Sequence, residues 1–266
     1  MPPGPPDAPL TAPAGAAEGV LTGERTWPGI PAENYWFARH LACYRWAATQ
    51  LATTTAVSSH GSRQRAFIDA GAGEGYGCEL LRTTTDAHVV AFDLDETTMR
   101  HLRHAYQNII GVLGNLIALP FQDRAFAAAV SLQVVEHIWD PIGYLSELDR
   151  CTAGPVIIST PNRPVHSPGL APGETPRNPF HVREFDAAEL RALLARSSNT
   201  RSIALWGLHH GDRIQRWEHR NGSLAEALIK ADRSALDFAE TVTDQDFTIS
   251  PSDGNDSTAQ DLIALW

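Results

Sequence analysis

The run from Ala66 to Leu81, AFIDAGAGEGYGCELL, constrains this chain more than any other stretch. A short apolar segment ends in Asp69, a glycine-rich turn follows, and from Tyr76 the pattern restarts as a helix. Glycine accepts positive φ and lets the main chain approach a ligand closely, so Gly71, Gly73 and Gly75 mark a nucleoside cradle. Twenty residues after Gly73 a second apolar segment, HVVAFDLD, ends in Asp93. A carboxylate there can accept hydrogen bonds from both ribose hydroxyls, as a βαβ nucleoside site requires.

The chain has 266 residues, 43% of them hydrophobic, which suffices for one sizeable core and favours a single main domain. Its net charge of −10 repels nucleic acid and anionic membrane, so a small molecule or a neutral polymer is the expected partner. Cys43, Cys78 and Cys151 are odd in number and lack CxxC spacing, which argues against a disulfide framework or a zinc site and for a reducing compartment. No apolar run reaches the ~18 residues of a membrane span, and the start lacks the pattern of a signal peptide. A cytoplasmic location is expected. The single lysine, Lys230, argues against Schiff-base chemistry. The oligomeric state, a homodimer among the options, stays open.

Residues 1–25 are rich in Pro, Ala and Gly and read as a disordered leader, with the folded domain spanning 26–266. Phe37, Leu41, Tyr44, Ala48 and Leu51 recur at helical spacing, predicting an amphipathic lid helix over 33–52. Strands and helices then alternate. Asp95 caps one helix, Asp140 and Pro141 start another, and the strands end with Val112–Leu113, AAAVSLQV and PVIIST. Ser202 to Leu208 and Asp261 to Trp266 read as two closing strands around a helical insertion within 209–260. The expected fold is α/β, a doubly wound, mostly parallel, seven-stranded Rossmann-like sheet with an N-terminal helical lid. Six prolines between Pro161 and Phe185 make 161–185 a long loop at the carboxyl edge of the sheet, suited to hold substrate.

Asp-x-Gly-x-Gly-x-Gly followed by an acid at the end of the second strand resembles motif I of the class I S-adenosylmethionine-dependent methyltransferases, of the type 11 or UbiG-like kind. GNLIALPFQDRAF, SLQVVEHIWDP and STPNR follow in the family's order, so the resemblance covers roughly Ala66 to Arg163, the cofactor half. It implies that Asp69, Gly71, Ala72, Gly73 and Gly75 surround the methionine part of S-adenosylmethionine, with Asp93 on the ribose and Leu94 against the adenine. It also implies Asn115 and the Leu116 amide on the adenine edge, Gln133 nearby, and Arg45 on the cofactor carboxylate. A solvated helix face is the competing reading for Arg45.

Gln133-Val134-Val135-Glu136-His137, with His181 in the later loop, is similar to the Glu-x-x-Glu-His plus distant His set by which small-RNA 2′-O-methyltransferases bind Mg²⁺ against a diol. That implies a metal set of Glu136, His137 and His181, with neutral Gln133 where those enzymes carry Glu. The same residues are the catalytic candidates: His137 also fits a general base, or a residue that only starts a helix. Trp36 and Trp139 are placed to stack on a sugar; His166 reads as a substrate contact or a solvated loop residue, Arg213, Arg216 and Arg220 as a solvated helix face or a contact to an anionic substrate group, and His209 and His210 point to opposite faces of a strand, against joint metal ligation.

The whole is similar to actinobacterial sugar O-methyltransferases serving mycobacterial polysaccharides. The expected activity is O-methylation of a sugar or oligosaccharide hydroxyl, with Mg²⁺ assistance as the metal alternative. A quinone, phenolic or other small natural product is the rival acceptor, and a cofactor-binding protein without turnover is the rival class. A nicotinamide oxidoreductase fits least, because GxGxxG spacing would place glycine at Tyr76.

Overall fold

The computed structural model describes residues 26–27, 29–56, 65–198, 202–252, 254 and 256–266. The predicted leader, 1–25, lies outside the described residues. Four strands of nearly unbroken apolar sequence, β1 (Ala66–Ala70), β2 (His88–Asp93), β4 (Ala128–Leu132) and β5 (Val156–Pro161), form the centre of the sheet. Every residue of β4 and β5 is buried, as expected of parallel strands covered on both faces. With β3 (Ile110–Leu113), β6 (Ala204–His210), β7 (Phe247–Pro251) and β8 (Asp261–Leu265) the order is β3-β2-β1-β4-β5-β8-β6-β7.

The first five strands in that order pair in parallel, and β8 runs antiparallel to both β5 and β6. One layer holds α1 (Asn34–Ala56), α2 (Tyr76–Thr85) and α3 (Glu96–Ala105), and the other α4 (Pro141–Cys151) and α6 (Ala187–Ser197). Local chemistry starts the helices where the sequence indicates. Asp95 accepts from the Thr98 amide at 2.7 Å to cap α3, and Asp140 accepts from that of Gly143 at 3.0 Å to cap α4, with Pro141 in its first turn.

The sheet has eight strands, not the seven expected. β7 lies inside the predicted helical insertion and pairs antiparallel with β6. Only one of its five residues is buried, so the strand forms because β6 offers an unpaired edge, not because of its own hydrophobic pattern. β6 also runs two residues further than expected, which places His209 and His210 inside the strand. The rest of the insertion is helical: α7 (Asp212–Asn221), α8 (Leu224–Ile229) and α9 (Arg233–Ala239). The lid helix is more than a cover, since Tyr35, Ala47, Ala48 and Leu51 are fully buried. Asn34 Nδ2 donates to the carbonyls of Ala239 and Val242 at 2.8 and 2.7 Å, tying the insertion to the start of α1.

The 161–185 segment contains one short helix, α5 (Arg163–His166). Its ends meet: the Arg163 amide donates to Phe185 O at 2.9 Å, and the Arg163 guanidinium bonds Asp186 and Glu189 at 2.6 and 2.7 Å. α1 meets α2 at Gly77, where an added Cβ would overlap the Tyr44 ring. Gly77→Ala is therefore expected to lower stability by about 1–3 kcal/mol through overpacking, despite the ~1 kcal/mol helix-propensity gain of alanine. Urea unfolding measures this; an increase in stability would show that α1 and α2 do not meet so closely.

Candidate active site

The glycine loop turns directly out of β1. Gly71 N donates to Phe92 O at 2.7 Å and Gly73 N to Asp93 Oδ2 at 2.9 Å, so the acid ending β2 also braces the loop. Asp93 Oδ1 accepts from the Asp95 amide at 3.0 Å. The three glycines have separate duties. At Gly71 and Gly75 a Cβ would collide with Val134 and Leu102, whereas at Gly73, φ +51°, it would meet nothing within 4 Å. Gly73 thus faces open space, and a cavity of about 70 Å³ lies over the loop, lined by Thr26, His40, Tyr44, Tyr76 and Gln133 among others.

Asp69 stands beneath the loop, fully buried, and is not among the residues lining that cavity. Tyr44 Oη and Cys78 Sγ donate to its carboxylate at 3.3 and 3.1 Å. Burial pushes its pKa up to about 7 against the lowering effect of these donors. Just past the ends of β2 and β3, Leu94 is 69% exposed and Leu116 is buried. Asn115 Oδ1 accepts from Ile117 N at 3.1 Å, closing its own turn.

The structure corrects the expectation for Arg45. Its Nε lies 2.6 Å from Asp244 Oδ2, on the side of α1 that meets the segment before β7, and it lines neither site cavity. The α1 side chains facing the site are Arg39 and His40. Arg39 forms a bidentate pair with Asp261, Nε donating to Oδ2 at 2.6 Å and Nη2 to Oδ1, with side chains 4% and 0% exposed. Against burial, which raises it, the charge of Arg39 holds the Asp261 carboxyl below the usual carboxylate range. Gln133 Nε2 donates to Asp261 Oδ1 at 3.2 Å and to Ser159 Oγ at 3.0 Å. The missed pair had a signal: Arg39 interrupts the buried stripe of Tyr35 and Cys43, and Asp261 opens an otherwise apolar strand.

A second cavity, about 480 Å³, opens beyond Gln133 between α1, the 161–185 loop and the insertion. Glu136, His137 and His181 line it together, each offering a ligand atom within 4.8 Å of the others. Backbone bonds cause the meeting: the Glu136 carbonyl accepts from the amides of Val182 and Arg183 at 2.8 and 3.2 Å. Phe180 O can only accept, so His137 Nδ1, 3.0 Å away, donates to it. His181 Nδ1 lies 2.8 Å from Glu184 Oε1, and its Nε2 accepts from Asn178 Nδ2 at 3.0 Å. Burial raises the pKa of Glu136, whose Oε2 accepts from Thr160 Oγ1 at 3.0 Å. Glu184 was not anticipated, although its three-residue spacing from His181 was visible.

Trp36 and His166 line this cavity, while Trp139, 86% exposed, does not. His209 and His210 face opposite ways, toward Asp256 at 3.1 Å and toward Tyr35 Oη and Glu218 at 2.7 and 2.9 Å. Arg213 is taken up by Asp246 at 2.7 Å. Arg216 and Arg220 lie on α7 in a separate shallow depression.

Residues 68–154 match a methyltransferase domain family. A probable S-adenosylmethionine-dependent methyltransferase of Mycolicibacterium smegmatis is 36% identical over 256 residues, 92% of this chain and 93% of that protein. The chain belongs to the S-adenosylmethionine-dependent methyltransferases. A second relative, a probable methyltransferase of the same kind from Mycobacterium tuberculosis, is 35% identical over 98% of this chain and 93% of its own length. Among solved structures, a possible histamine N-methyltransferase from Thermotoga maritima superposes with a TM-score of 0.52 at 14% identity, covering 86% of this chain and 91% of that one. A putative sarcosine dimethylglycine methyltransferase from Galdieria sulphuraria gives 0.51 at 13%, covering 82% and 84%. These two show the class I fold.

The methyl donor of this methyltransferase is S-adenosylmethionine, and the open face of Gly73 beside Asp93 fits it. Two predictions concern the groups around that loop. Asp69 has a folded pKa of about 7 against about 3.9 unfolded, so the folded state holds more protons between those values. Stability therefore falls as pH rises from about 4 to about 7 and then levels off. Asp69→Asn is expected to flatten that slope in melting temperature; an unchanged slope would refute the assignment. Arg39→Met strands the Asp261 charge and is expected to cost about 3–5 kcal/mol, largely restored in Arg39→Met/Asp261→Leu. Chemical denaturation of the single and double variants reads the difference.

Proposed function

We propose that the methyltransferase methylates a hydroxyl of a sugar or oligosaccharide seated in the 480 Å³ cavity, with a divalent cation at Glu136, His137 and His181. The observation that supports this most is the preset donor geometry. Both imidazoles have Nδ1 held against an acceptor, Phe180 O for one and Glu184 for the other, which fixes the orientation of each ring; at His181 a cation would replace the bond that Nε2 accepts from Asn178. Two imidazoles and a carboxylate accept Mg²⁺ and suit Mn²⁺, Fe²⁺ or Zn²⁺ at least as well. Bound there, a cation would orient a diol and lower the pKa of the hydroxyl to be methylated.

The chain's own residues supply the rest. The sulfonium already activates the methyl group, so alignment is the main requirement. As the acceptor oxygen forms its bond to the methyl carbon, the C–S bond breaks with its electrons left on sulfur, and the hydroxyl proton passes to water. Trp36 on α1 offers an indole ring to a sugar face, while Asn178 and Gln260 offer hydrogen-bonding groups. The carboxylates of Glu136, Glu184, Glu218 and Glu226 disfavour an anionic acceptor. The apolar side chains of Val165, Phe180 and Ile229 on the same wall support the second reading, a phenolic or quinone acceptor.

Labelled S-adenosylmethionine with a panel of mannosides, glucosides and phenols, with and without a chelator, tests both readings. Transfer to glycosides should fall on chelation and return with Mg²⁺ or Mn²⁺, and His181→Ala should lower it by about 10²-fold or more. Transfer confined to phenols removes the sugar reading. Chelator-resistant transfer removes the cation.

A further inference from the structure

Two residues line both cavities: His40 from α1 and Gln133 from the end of β4. A methyl group leaving the donor over the glycine loop must pass between them to reach an acceptor beyond. We propose that His40 and Gln133 form an uncharged collar around the departing methyl, and that this collar distinguishes the cationic sulfonium donor from its neutral thioether product. The methyl donor follows from the family, and only the direction of transfer rests on the second cavity being the acceptor's.

Gln133 is built for this place at some cost. Its φ of +57° is left-handed, a conformation that a residue with a Cβ adopts only when its surroundings enforce it. The enforcement is visible: its amide donates to Ser159 O at 3.0 Å, and Nε2 spends its hydrogens on Ser159 Oγ and Asp261 Oδ1 at 3.0 and 3.2 Å. The side-chain amide is thereby oriented, and among the described residues Oε1 has only the long 3.5 Å approach of Arg39 Nη2. A carbonyl oxygen held beside a sulfonium meets polarised methyl hydrogens, an attraction that the thioether product lacks.

His40 completes the collar without adding charge. Its Nδ1 lies 3.4 Å from both Thr26 Oγ1 and Tyr76 Oη, which orient the ring. Burial, reinforced by the charge of Arg39, pulls its pKa down to about 4, so the ring is neutral at physiological pH. Arg39, the cation of this neighbourhood, is neutralised by Asp261. Asp93 braces the loop by accepting from Gly73 N at 2.9 Å, and Asp69 is buried beneath it. A sulfonium entering here meets an amide oxygen and a neutral imidazole and, among the described residues, no uncompensated positive charge.

Calorimetric affinities for S-adenosylmethionine and S-adenosylhomocysteine, measured without any acceptor, test the collar. The readout is the ratio of the two dissociation constants. His40→Lys places a fixed cation at the collar and should shift that ratio against the sulfonium by at least tenfold, a difference of about 1.4 kcal/mol. His40→Gln should leave it near the wild-type value. Gln133→Leu removes the oxygen and should weaken the sulfonium ligand several-fold while sparing the thioether, whose retained binding reports that the variant is folded. Equal weakening of both ligands in Gln133→Leu, or an unchanged ratio in a His40→Lys protein that binds the thioether, overturns the proposal. Should His40→Lys bind neither ligand, the Gln133→Leu ratio alone decides. Because no acceptor is present, these results stand apart from the glycoside and chelator assays.

Discussion

The pairing of Arg39 with Asp261 joins the first helix of the domain to its last strand, and the site is organised around it. Withdrawing two ions from water costs several kcal/mol each, and only a matched fork geometry with the remaining lone pairs occupied offsets that. Both conditions hold here: two guanidinium nitrogens meet two carboxylate oxygens, and Gln133 donates a further bond to the carboxylate. The pair therefore sets the rotation of α1 over the sheet, and with it which α1 side chains face the interior. It also supplies one of the bonds that keep Gln133 in its left-handed conformation.

From that anchor the two cavities follow. β1 and β2 deliver the glycine loop and Asp93 to one side of α1, and β4 delivers Glu136 and His137 to the other. The 161–185 loop completes the second side through ordinary main-chain bonds from Val182 and Arg183 to Glu136 O. The Arg163 contacts to Asp186 and Glu189 hold the far end of the loop, so His181 sits on a segment fixed at both ends. The insertion contributes the outer wall, and the Tyr35–His210–Glu218 chain ties that wall to α1. Both cavities are thus referred to one helix, an arrangement suited to a reaction whose rate depends on alignment.

Much of this was legible in the residues. The strand–glycine turn–helix unit, Asp93, the caps at Asp95 and Asp140, and the central parallel strands are coded locally, within a turn or a strand of sequence. What stayed hidden depended on distant partners. β7 has little hydrophobic pattern and exists because β6 presents an edge. Arg45 and Arg39 are six residues apart, on different faces of a 3.6-residue helix, so only the rotation of α1 decides which arginine turns inward. Asp69 reads as a ligand group from its place in the motif, but the packing of Tyr44 and Cys78 puts it under the loop instead.

The class of fold, the glycine turn after β1 and the methyltransferase family could be read from the residues alone, because each is carried by short-range patterns that any packing must respect. The residues also named Glu136, His137 and His181 as candidates. That these three converge, that Arg39 pairs with Asp261 and that His40 and Gln133 line both cavities emerged from long-range packing. Those outcomes depend on helix rotation and loop closure, which are fixed by burial and hydrogen bonding between segments far apart in the chain.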